Sequence, residues 1–232
     1  MKYFYLDRKI ARLILLQRNE LTSPSLKKIR KLFGRYIFTN FFSKYMISPK
    51  LISSNYYALM NKEYEFLTKH ADLKNKKILS IGSGMCGLEL IINSKSLNNH
   101  FTIIEKDYVS KKVSYGWDNK NKEAYNSINL LKSFLINNGM KKESFEIYDF
   151  DKGNFPIEKY EYIISLYSLD YHYDFFNYFE YFKKIIDENT NIIFDTIRPE
   201  FFKKIFENVE IISSDIKSIH SSKRVICNKL LR

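Results

Sequence analysis

The sequence predicts an α/β fold, a doubly wound seven-stranded sheet with helices on both faces, preceded by a helical N-terminal extension. From Lys77 onward, short apolar runs rich in β-branched and aromatic residues alternate with longer runs of helical period. This alternation is typical of a mostly parallel sheet covered on both faces. The last two β-rich runs, over 209–219 and 223–231, are joined by a short polar turn without a helix. They therefore predict a closing antiparallel hairpin.

Residues 1–72 are predicted to form the helical extension, and residues 73–232 the α/β domain. Ser23-Pro24 and Ser48-Pro49 each combine an N-cap residue with proline at the first helical position, where the missing N–H costs nothing. Together with apolar residues at helical spacing, these signals predict helices over about 3–20, 24–46 and 49–70. In the α/β domain the predicted strands before the hairpin cover 77–82, 101–105, 145–150, 162–168 and 191–197. The predicted helices there cover about 86–94, 122–138, 175–188 and 199–208.

The positive charge of the chain is concentrated near its N-terminus. The formal net charge is +12, and residues 1–60 hold twelve Lys or Arg against Asp7 and Glu20, which is +10. Four interpretations stay open: ordinary amphipathic helices that form a lid, an RNA or DNA surface, contact with an acidic membrane, or recognition of a phosphorylated small molecule.

The same sequence favours a cytoplasmic setting. Charged residues from Asp7 to Arg12 interrupt the first apolar stretch, so no signal-peptide pattern is present. No run approaches the roughly 18–20 apolar residues of a transmembrane helix. Cys86 and Cys227 form no CxxC pair and are too few to staple a fold of this size, which is typical of a reducing compartment.

A glycine loop at residues 82–87 is the strongest functional signal. Gly82, Ser83, Gly84 and Gly87 follow a predicted strand and open a predicted helix in a GxGxxG pattern, which lets the backbone turn sharply and approach a ligand closely. Glu105 ends the next strand, 21 residues after Gly84, where its carboxylate can accept hydrogen bonds from both ribose hydroxyls of an adenosine. We therefore expect a nucleoside cofactor at this loop.

The stretch from Lys77 to Arg232 resembles class I S-adenosylmethionine-dependent methyltransferases, a Rossmann-like family with strand order 3-2-1-4-5-7-6. Residues 78–87 match its first motif, and residues 103–105 match its ribose-binding strand. The resemblance implies S-adenosyl-L-methionine as cofactor, with Asp149 near the adenine amine and Ser165 lining the cofactor pocket. One position departs from the family: Ser80 stands where an acidic residue usually lies near the methionine amino group.

A narrower resemblance connects three short segments with a group of bacterial and phage methyltransferases. They are Tyr115-Gly116-Trp117, Tyr125-Asn126-Ser127, and Ile164–Ser168 followed by Tyr171-His172-Tyr173. In the family the chain leaving the fourth strand passes beside the transferable methyl group. His172 is therefore the first candidate for a general base, because an imidazole takes up a proton near neutral pH. Asp170 is the second candidate.

The residue pattern favours a hydroxyl of a small molecule or glycan as methyl acceptor. The Pro-Pro-aromatic turn typical of base amino methylation is missing after Ser165, no cysteine follows the fourth strand for cytosine C5 chemistry, and the four histidines lack metal-ligand spacing. An RNA or other nucleic-acid methyltransferase that uses the basic N-terminal segment is the main alternative. A nicotinamide-dependent dehydrogenase, a protein methyltransferase and a non-catalytic cofactor-binding module are further alternatives, and the oligomeric state stays open.

Overall fold

The computed structural model describes residues 3–110, 124–214 and 221–231, and these form two compact units. The first unit comprises Met1–Ala71, Gly84–Lys95 and Lys106–Lys142, and the second comprises Asp72–Ser83, Ser96–Glu105 and Glu143–Arg232. One division point, between Ala71 and Asp72, lies beside the predicted boundary. Two helices of the predicted α/β domain, Gly87–Lys95 and Ile128–Asn137, nevertheless belong to the first unit. The chain therefore passes between the two units at further points beyond Ala71.

The second unit is built on the predicted seven-stranded sheet. Its strands are β1 Lys77–Ile81, β2 His100–Glu105, β3 Phe145–Asp149, β4 Tyr162–Ser165, β5 Asn191–Thr196, β6 Phe206–Ser214 and β7 Lys223–Leu230. Their order is β3-β2-β1-β4-β5-β7-β6. Strands β1 to β5 pair in parallel, and β7 runs antiparallel to both of its neighbours. The predicted fold class is confirmed.

The core of the second unit is aromatic on one side of the sheet. Short helices α7 (Phe179–Ile185) and α8 (Pro199–Phe202) contribute Phe182 and Phe202, which pack with Phe175 at ring-centroid distances of 5.2 and 5.0 Å. Phe194 of β5 joins them, and all four rings are fully buried. Burial of these rings stabilises the unit through the apolar surface that they remove from water.

Several predicted boundaries of the second unit were wrong: the helix predicted over about 175–188 is α7, which covers Phe179–Ile185, and β6 begins at Phe206 and not at 209. Strand β4 ends at Ser165 and not at 168, because Tyr167 takes a positive φ of 57° and turns the chain. The helix predicted over 199–208 ends at Phe202, because Phe206 pairs with Leu230 at the start of β6. The Tyr167 N–H donates to Asp195, and Phe206 pairs with Leu230, so the ends of β4 and α8 are fixed by contacts distant in sequence that local patterns do not record.

The first unit is helical. Its helices are α1 Arg8–Gln17, α2 Pro24–Ile37, α3 Ser43–Tyr45, α4 Pro49–Leu67, α5 Gly87–Lys95 and α6 Ile128–Asn137. The two predicted caps are confirmed: the Ser23 and Ser48 hydroxyls accept the N–H groups of Leu26 and Leu51 at 3.3 and 3.4 Å. Helix α2 is kinked at Gly34, whose φ of 79° is not helical, and a π-helical segment over Phe38–Phe42 follows it.

The unit is held together around the ring of Phe4. Phe4 contacts Tyr56 and Tyr57 of α4 and Phe134 of α6, with ring centroids 5.3–5.5 Å apart. Asn138, at the end of α6, accepts the N–H of Tyr5 at 2.7 Å and donates to its carbonyl at 2.8 Å. These contacts fasten the start of the chain to two helices that lie far along the sequence.

The helix predicted from about 122 begins only at Ile128, and the helix predicted from about 3 begins only at Arg8. Tyr115-Gly116-Trp117, residues 122–123 and the end of the strand predicted to 219 fall outside the described residues. Across the part of the chain that the structure covers, no helix combines the length and the apolar character needed to cross a bilayer.

Candidate functional site

The start of the glycine loop lies beside the end of β2. The Gly82 N–H donates to the carbonyl of Ile104 at 3.0 Å, which places Gly82 next to Glu105. The Glu105 residue is only 8% exposed. Burial raises the pKa of Tyr178 well above its usual value, and the nearby charge of Glu105 raises it further. Glu105 is therefore an enclosed carboxylate at the point where the loop begins.

Gly82 also leaves room for Ser168 of the chain segment after β4. A Cβ atom at Gly82 would lie 1.9 Å from the Ser168 Oγ and 2.7 Å from its Cβ, and the Gly82 φ is +63°. Both the close approach and the left-handed conformation require glycine here. The glycine loop and the segment after β4 are thus packed directly against one another.

We expect Gly82→Ala to lower the free energy of unfolding by about 2–5 kcal/mol, since it adds a steric clash to the cost of a left-handed alanine. Gly153→Ala is the matched control, because Gly153 has a similar φ of +68° and no atom within 4 Å of the added Cβ. Urea unfolding measures both. Adding Ser168→Gly to Gly82→Ala should remove the clash and recover the part of the loss that the clash causes. Equal losses for Gly82→Ala and Gly153→Ala would contradict the packing.

The segment from Ser168 to Tyr173 forms a compact loop. The Ser168 carbonyl accepts the N–H groups of Tyr171, His172 and Tyr173 at 2.8–3.2 Å, and the Asp170 N–H donates to the Tyr173 carbonyl at 2.6 Å. Asp170 has a positive φ of 56°, a conformation that non-glycine residues keep only when their surroundings impose it. The loop therefore holds its side chains in defined positions.

Asp170 is fastened inside this loop by Arg198 and Thr196. Its carboxylate is fully buried and accepts hydrogen bonds from the Arg198 Nη2 at 2.5 Å, the Arg198 Nε at 3.1 Å and the Thr196 hydroxyl at 2.6 Å. These bonds raise the pKa of Arg198. A carboxylate that is enclosed and paired in this way orients the loop, which favours a positioning role over proton transfer.

His172, in the same loop, is exposed. Its ring lies edge-on to Tyr171, with centroids 4.9 Å apart, and Tyr171 is edge-on to Tyr167 at 5.7 Å. Tyr167 and Tyr171 are half-buried. The three rings form a row that begins where β4 ends, with the imidazole at its solvent end.

Ser165 and Asp149 both form hydrogen bonds with backbone groups of the protein. The buried Ser165 hydroxyl donates to the carbonyl of Ile81 at 2.7 Å and accepts the N–H of Leu169 at 3.0 Å, so it joins the ends of β1 and β4 to the loop. Asp149 lies opposite Glu105 in the β2–β3 register and accepts the N–H of Asp151 at 3.1 Å. Their predicted contacts with a cofactor stay predictions.

The glycine loop continues in the first unit from Gly84, where three side chains of that unit contact its backbone. The Met85 N–H donates to the Gln17 Oε1 at 3.2 Å, and the Gly87 N–H donates to the Tyr56 hydroxyl at 3.0 Å. The Asn126 amide donates to the Gly84 carbonyl at 3.1 Å. A Cβ at Gly87 would lie 2.6 Å from the Tyr56 ring. The N-terminal end of α5 is therefore covered by protein side chains.

Sequence reasoning missed Gln17, Tyr56 and Arg198 as parts of this arrangement. In the sequence, Gln17 and Tyr56 look like ordinary residues of amphipathic helices, and no local pattern distinguishes them from their neighbours. Asn126 carried a signal, because Tyr125-Asn126-Ser127 was one of the resembling segments. The structure gives this segment a role: Asn126 binds the loop carbonyl, and the Tyr125 carbonyl accepts the Gln17 amide at 2.7 Å.

Both cysteines are buried. Cys227 is fully buried in β7, and burial raises its pKa to about 12, so its thiol stays protonated at neutral pH. Cys86 is buried within the glycine loop. In the ranges 3–110, 124–214 and 221–231, no group of three His, Cys, Asp or Glu side chains is arranged to hold a metal ion.

No protein-family model matches the chain, and no curated protein matches it either. Many solved structures resemble it, and the three that follow do so at low identity. Ribosomal protein L11 methylase from Lactobacillus delbrueckii subsp. bulgaricus is 11% identical, with a TM-score of 0.48 over 76% of this chain and 80% of that one. TrmN from Thermus thermophilus is 12% identical, with a TM-score of 0.45 over 75% of this chain and 49% of that one. A protein of the NADB-Rossmann superfamily from Streptococcus agalactiae is 10% identical, with a TM-score of 0.46 over 74% and 69%. At these identities and TM-scores the likenesses carry no activity over to this chain.

Proposed function

We propose that the chain is a methyltransferase that uses S-adenosyl-L-methionine. The observation that carries this proposal is the hydrogen bond from the Gly82 N–H to the Ile104 carbonyl, which sets the enclosed carboxylate of Glu105 beside the glycine loop. A carboxylate in that position suits the two hydroxyls of a ribose. The reversed strand β7 at the end of the sheet supports the same proposal, because it completes the strand order of the family that the sequence resembles.

The covered N-terminal end of α5 favours S-adenosyl-L-methionine over a nicotinamide dinucleotide as the cofactor. A dinucleotide places its pyrophosphate on free N–H groups at the start of the helix after the glycine loop. Here the N–H groups of Met85 and Gly87 already donate to Gln17 and Tyr56. Burial raises the pKa of Tyr56, so its hydroxyl stays neutral and protonated. A nucleoside cofactor without phosphates needs no such site, which favours the methyltransferase over the dehydrogenase.

The proposed acceptor is a hydroxyl of a small molecule or glycan. Bound S-adenosyl-L-methionine supplies a methyl group on a positively charged sulfur. His172 is exposed at the end of the row of rings that Tyr167 and Tyr171 begin. It would take the hydroxyl proton of the acceptor as the oxygen–carbon bond forms and the carbon–sulfur bond breaks. The half-buried rings of Tyr167 and Tyr171 offer apolar faces for an acceptor, as small-molecule sites commonly do. Asp170 would hold this loop through Arg198.

Nucleic acid is the second candidate acceptor. It is favoured by the net charge of +10 over residues 1–60, since phosphate neutralisation is the main source of affinity for nucleic acids. The half-buried rings of Tyr167 and Tyr171 lie in one short loop, which offers a small apolar area and suits a small acceptor. For this reason we place a small acceptor first.

We expect Glu105→Ala to weaken binding of S-adenosylhomocysteine by about 10- to 150-fold, the usual cost of losing hydrogen bonds to a charged group. Calorimetry measures the affinity of wild type, Glu105→Ala and the control Glu188→Ala, which changes an exposed carboxylate. Wild-type affinity in Glu105→Ala would remove Glu105 from the site. Preferential binding of a nicotinamide dinucleotide would overturn the methyltransferase proposal itself.

A further inference from the structure

Residues 24–50 combine exposed lysines with exposed apolar side chains. Lys27, Lys28 and Lys31 of α2 are exposed, as are Lys44 and Lys50. The large apolar side chains exposed between them are Leu32, Phe33, Ile37, Phe41, Tyr45 and Met46. We call these exposed residues together the basic apolar surface. A contiguous exposed apolar patch on a folded protein usually marks an interaction site.

The exposed apolar side chains do not belong to an unpacked segment. Phe38, Ser43 and Ile47 of the same stretch are buried. The Ser43 hydroxyl accepts the Arg12 Nε at 3.1 Å, and Arg8 of α1 donates to the Tyr45 carbonyl at 3.0 Å. The stretch therefore has an inner side packed on α1, and its outer side is apolar as well.

The outer rings contact one another. Phe33 packs against Phe42 at 5.4 Å, Phe42 against Phe41 at 5.3 Å, and Phe41 against Tyr45 at 5.2 Å between ring centroids. Leu32 beside them is 78% exposed, and Tyr45 is 64% exposed. The four rings form a continuous ridge, and the exposed side chains of Leu32, Ile37 and Met46 lie close to it in the sequence.

The charged residues of the sequence segment that contains the ridge are all positive. Residues 21–62 contain eight Lys or Arg and no Asp or Glu, a net charge of +8 over 42 residues. A surface of this kind attracts an anionic partner, and the absence of acidic residues in the stretch leaves the attraction uncompensated locally. The partner must also accept exposed Leu, Ile, Met and Phe side chains.

We propose that the basic apolar surface binds an anionic lipid bilayer at its interface. Lysines near a negatively charged leaflet are attracted to it, and the apolar side chains between them enter the boundary between headgroups and acyl chains. Nucleic acid matches the charge, but it offers no apolar phase for Leu32, Ile37 and Met46. A lipid surface matches both properties. This inference does not depend on the methyltransferase proposal.

Flotation with lipid vesicles tests the proposal. The full chain is mixed with vesicles of phosphatidylcholine, with or without about 30% phosphatidylglycerol, at about 0.15 M salt. We expect binding to the anionic vesicles only, weakening as salt rises. Vesicles should also protect Lys27, Lys28 and Lys31 of the wild-type chain from acetylation, a readout that needs no variant.

Two double variants separate the charged and apolar contributions. Lys27→Gln with Lys31→Gln should lower the partition coefficient by about 25-fold, from the usual contribution of a lysine at an anionic surface. Leu32→Ser with Phe41→Ser should lower it at least about tenfold, and should remove the binding that persists at high salt. Both pairs are exposed, so the fold should tolerate the changes.

Matched controls come from outside the basic apolar surface. Lys69→Gln with Lys74→Gln removes two exposed lysines beyond the far end of α4, about 28 Å along that helix. Leu97→Ser with Ile157→Ser removes two exposed apolar side chains of the second unit. Both controls should change the partition coefficient by less than about threefold.

Several results would overturn the proposal. These are no binding of the wild-type chain to anionic vesicles, equal binding to neutral ones, or double variants that bind like wild type. Tight salt-dependent binding of single-stranded RNA without vesicle binding would assign the surface to nucleic acid instead. Concentration-dependent self-association lost in Leu32→Ser with Phe41→Ser, again without vesicle binding, would assign it to a second copy of the chain.

Discussion

We expect Asp195→Ala to lower the free energy of unfolding by about 3–5 kcal/mol, because it leaves the buried guanidinium of Arg224 without its carboxylate. The pair joins neighbouring strands, with the Arg224 Nε and Nη2 at 3.1 and 3.2 Å from the two Asp195 oxygens, and both side chains are at most 5% exposed. Asp195 also accepts the N–H of Tyr167 at 2.9 Å. Its loss therefore uncouples the turn after β4 from the sheet.

Urea unfolding measures the effect. Glu200→Ala is the control, because Glu200 and Lys203 form an exposed pair at 2.6 Å that should be worth less than about 1 kcal/mol. The double variant Asp195→Leu with Arg224→Met removes both charges and should recover much of the loss. An Asp195→Ala chain as stable as Glu200→Ala would mean that Arg224 is stabilised by its other surroundings.

We expect His172→Ala to lower methyl-transfer turnover by about 10²-fold or more, with S-adenosylhomocysteine affinity changed by less than about 1 kcal/mol. The proposed base lies in the loop after β4, outside the residues that we expect to bind the cofactor. A general base acts only when deprotonated, so the wild-type rate should fall as pH falls through the imidazole pKa. The variant should lose that limb of the pH profile.

This measurement follows an acceptor screen. His70→Ala is the control, because His70 is an exposed histidine of the first unit, beyond the end of α4. If His172→Ala keeps a near-normal rate and the wild-type pH profile, His172 is structural. Alignment of the reacting groups, which alone can contribute about 7–11 kcal/mol, would then account for the catalysis.

The strands and the glycine loop could be predicted because their signals are local, whereas the strand order was predicted from the resemblance to a family. Buried parallel strands are apolar on both faces, so Ile78–Ile81 and Ile192–Phe194 are recognisable as short apolar runs. The turn at Gly82 needs a left-handed residue, and glycine marks it in the sequence. Ser23 and Ser48 mark helix starts in the same way.

The surroundings of each candidate residue could not be predicted. His172 and Asp170 are two positions apart, yet one is exposed and the other is completely buried. The difference arises because Arg198 and Thr196, more than 25 residues later, enclose the Asp170 carboxylate. No local pattern records that contact.

Residue types and their spacing were therefore enough to establish the order of elements along the chain, the position of the glycine loop and the charge of the N-terminal segment. Local backbone conformation depends largely on neighbouring residues, and net charge depends on composition alone. Tertiary packing decided which polar groups are already satisfied. Gln17 and Tyr56 cover the loop N–H groups, and Arg224 neutralises Asp195. A buried polar group needs a partner wherever in the sequence that partner lies, and only the folded chain shows which one it has.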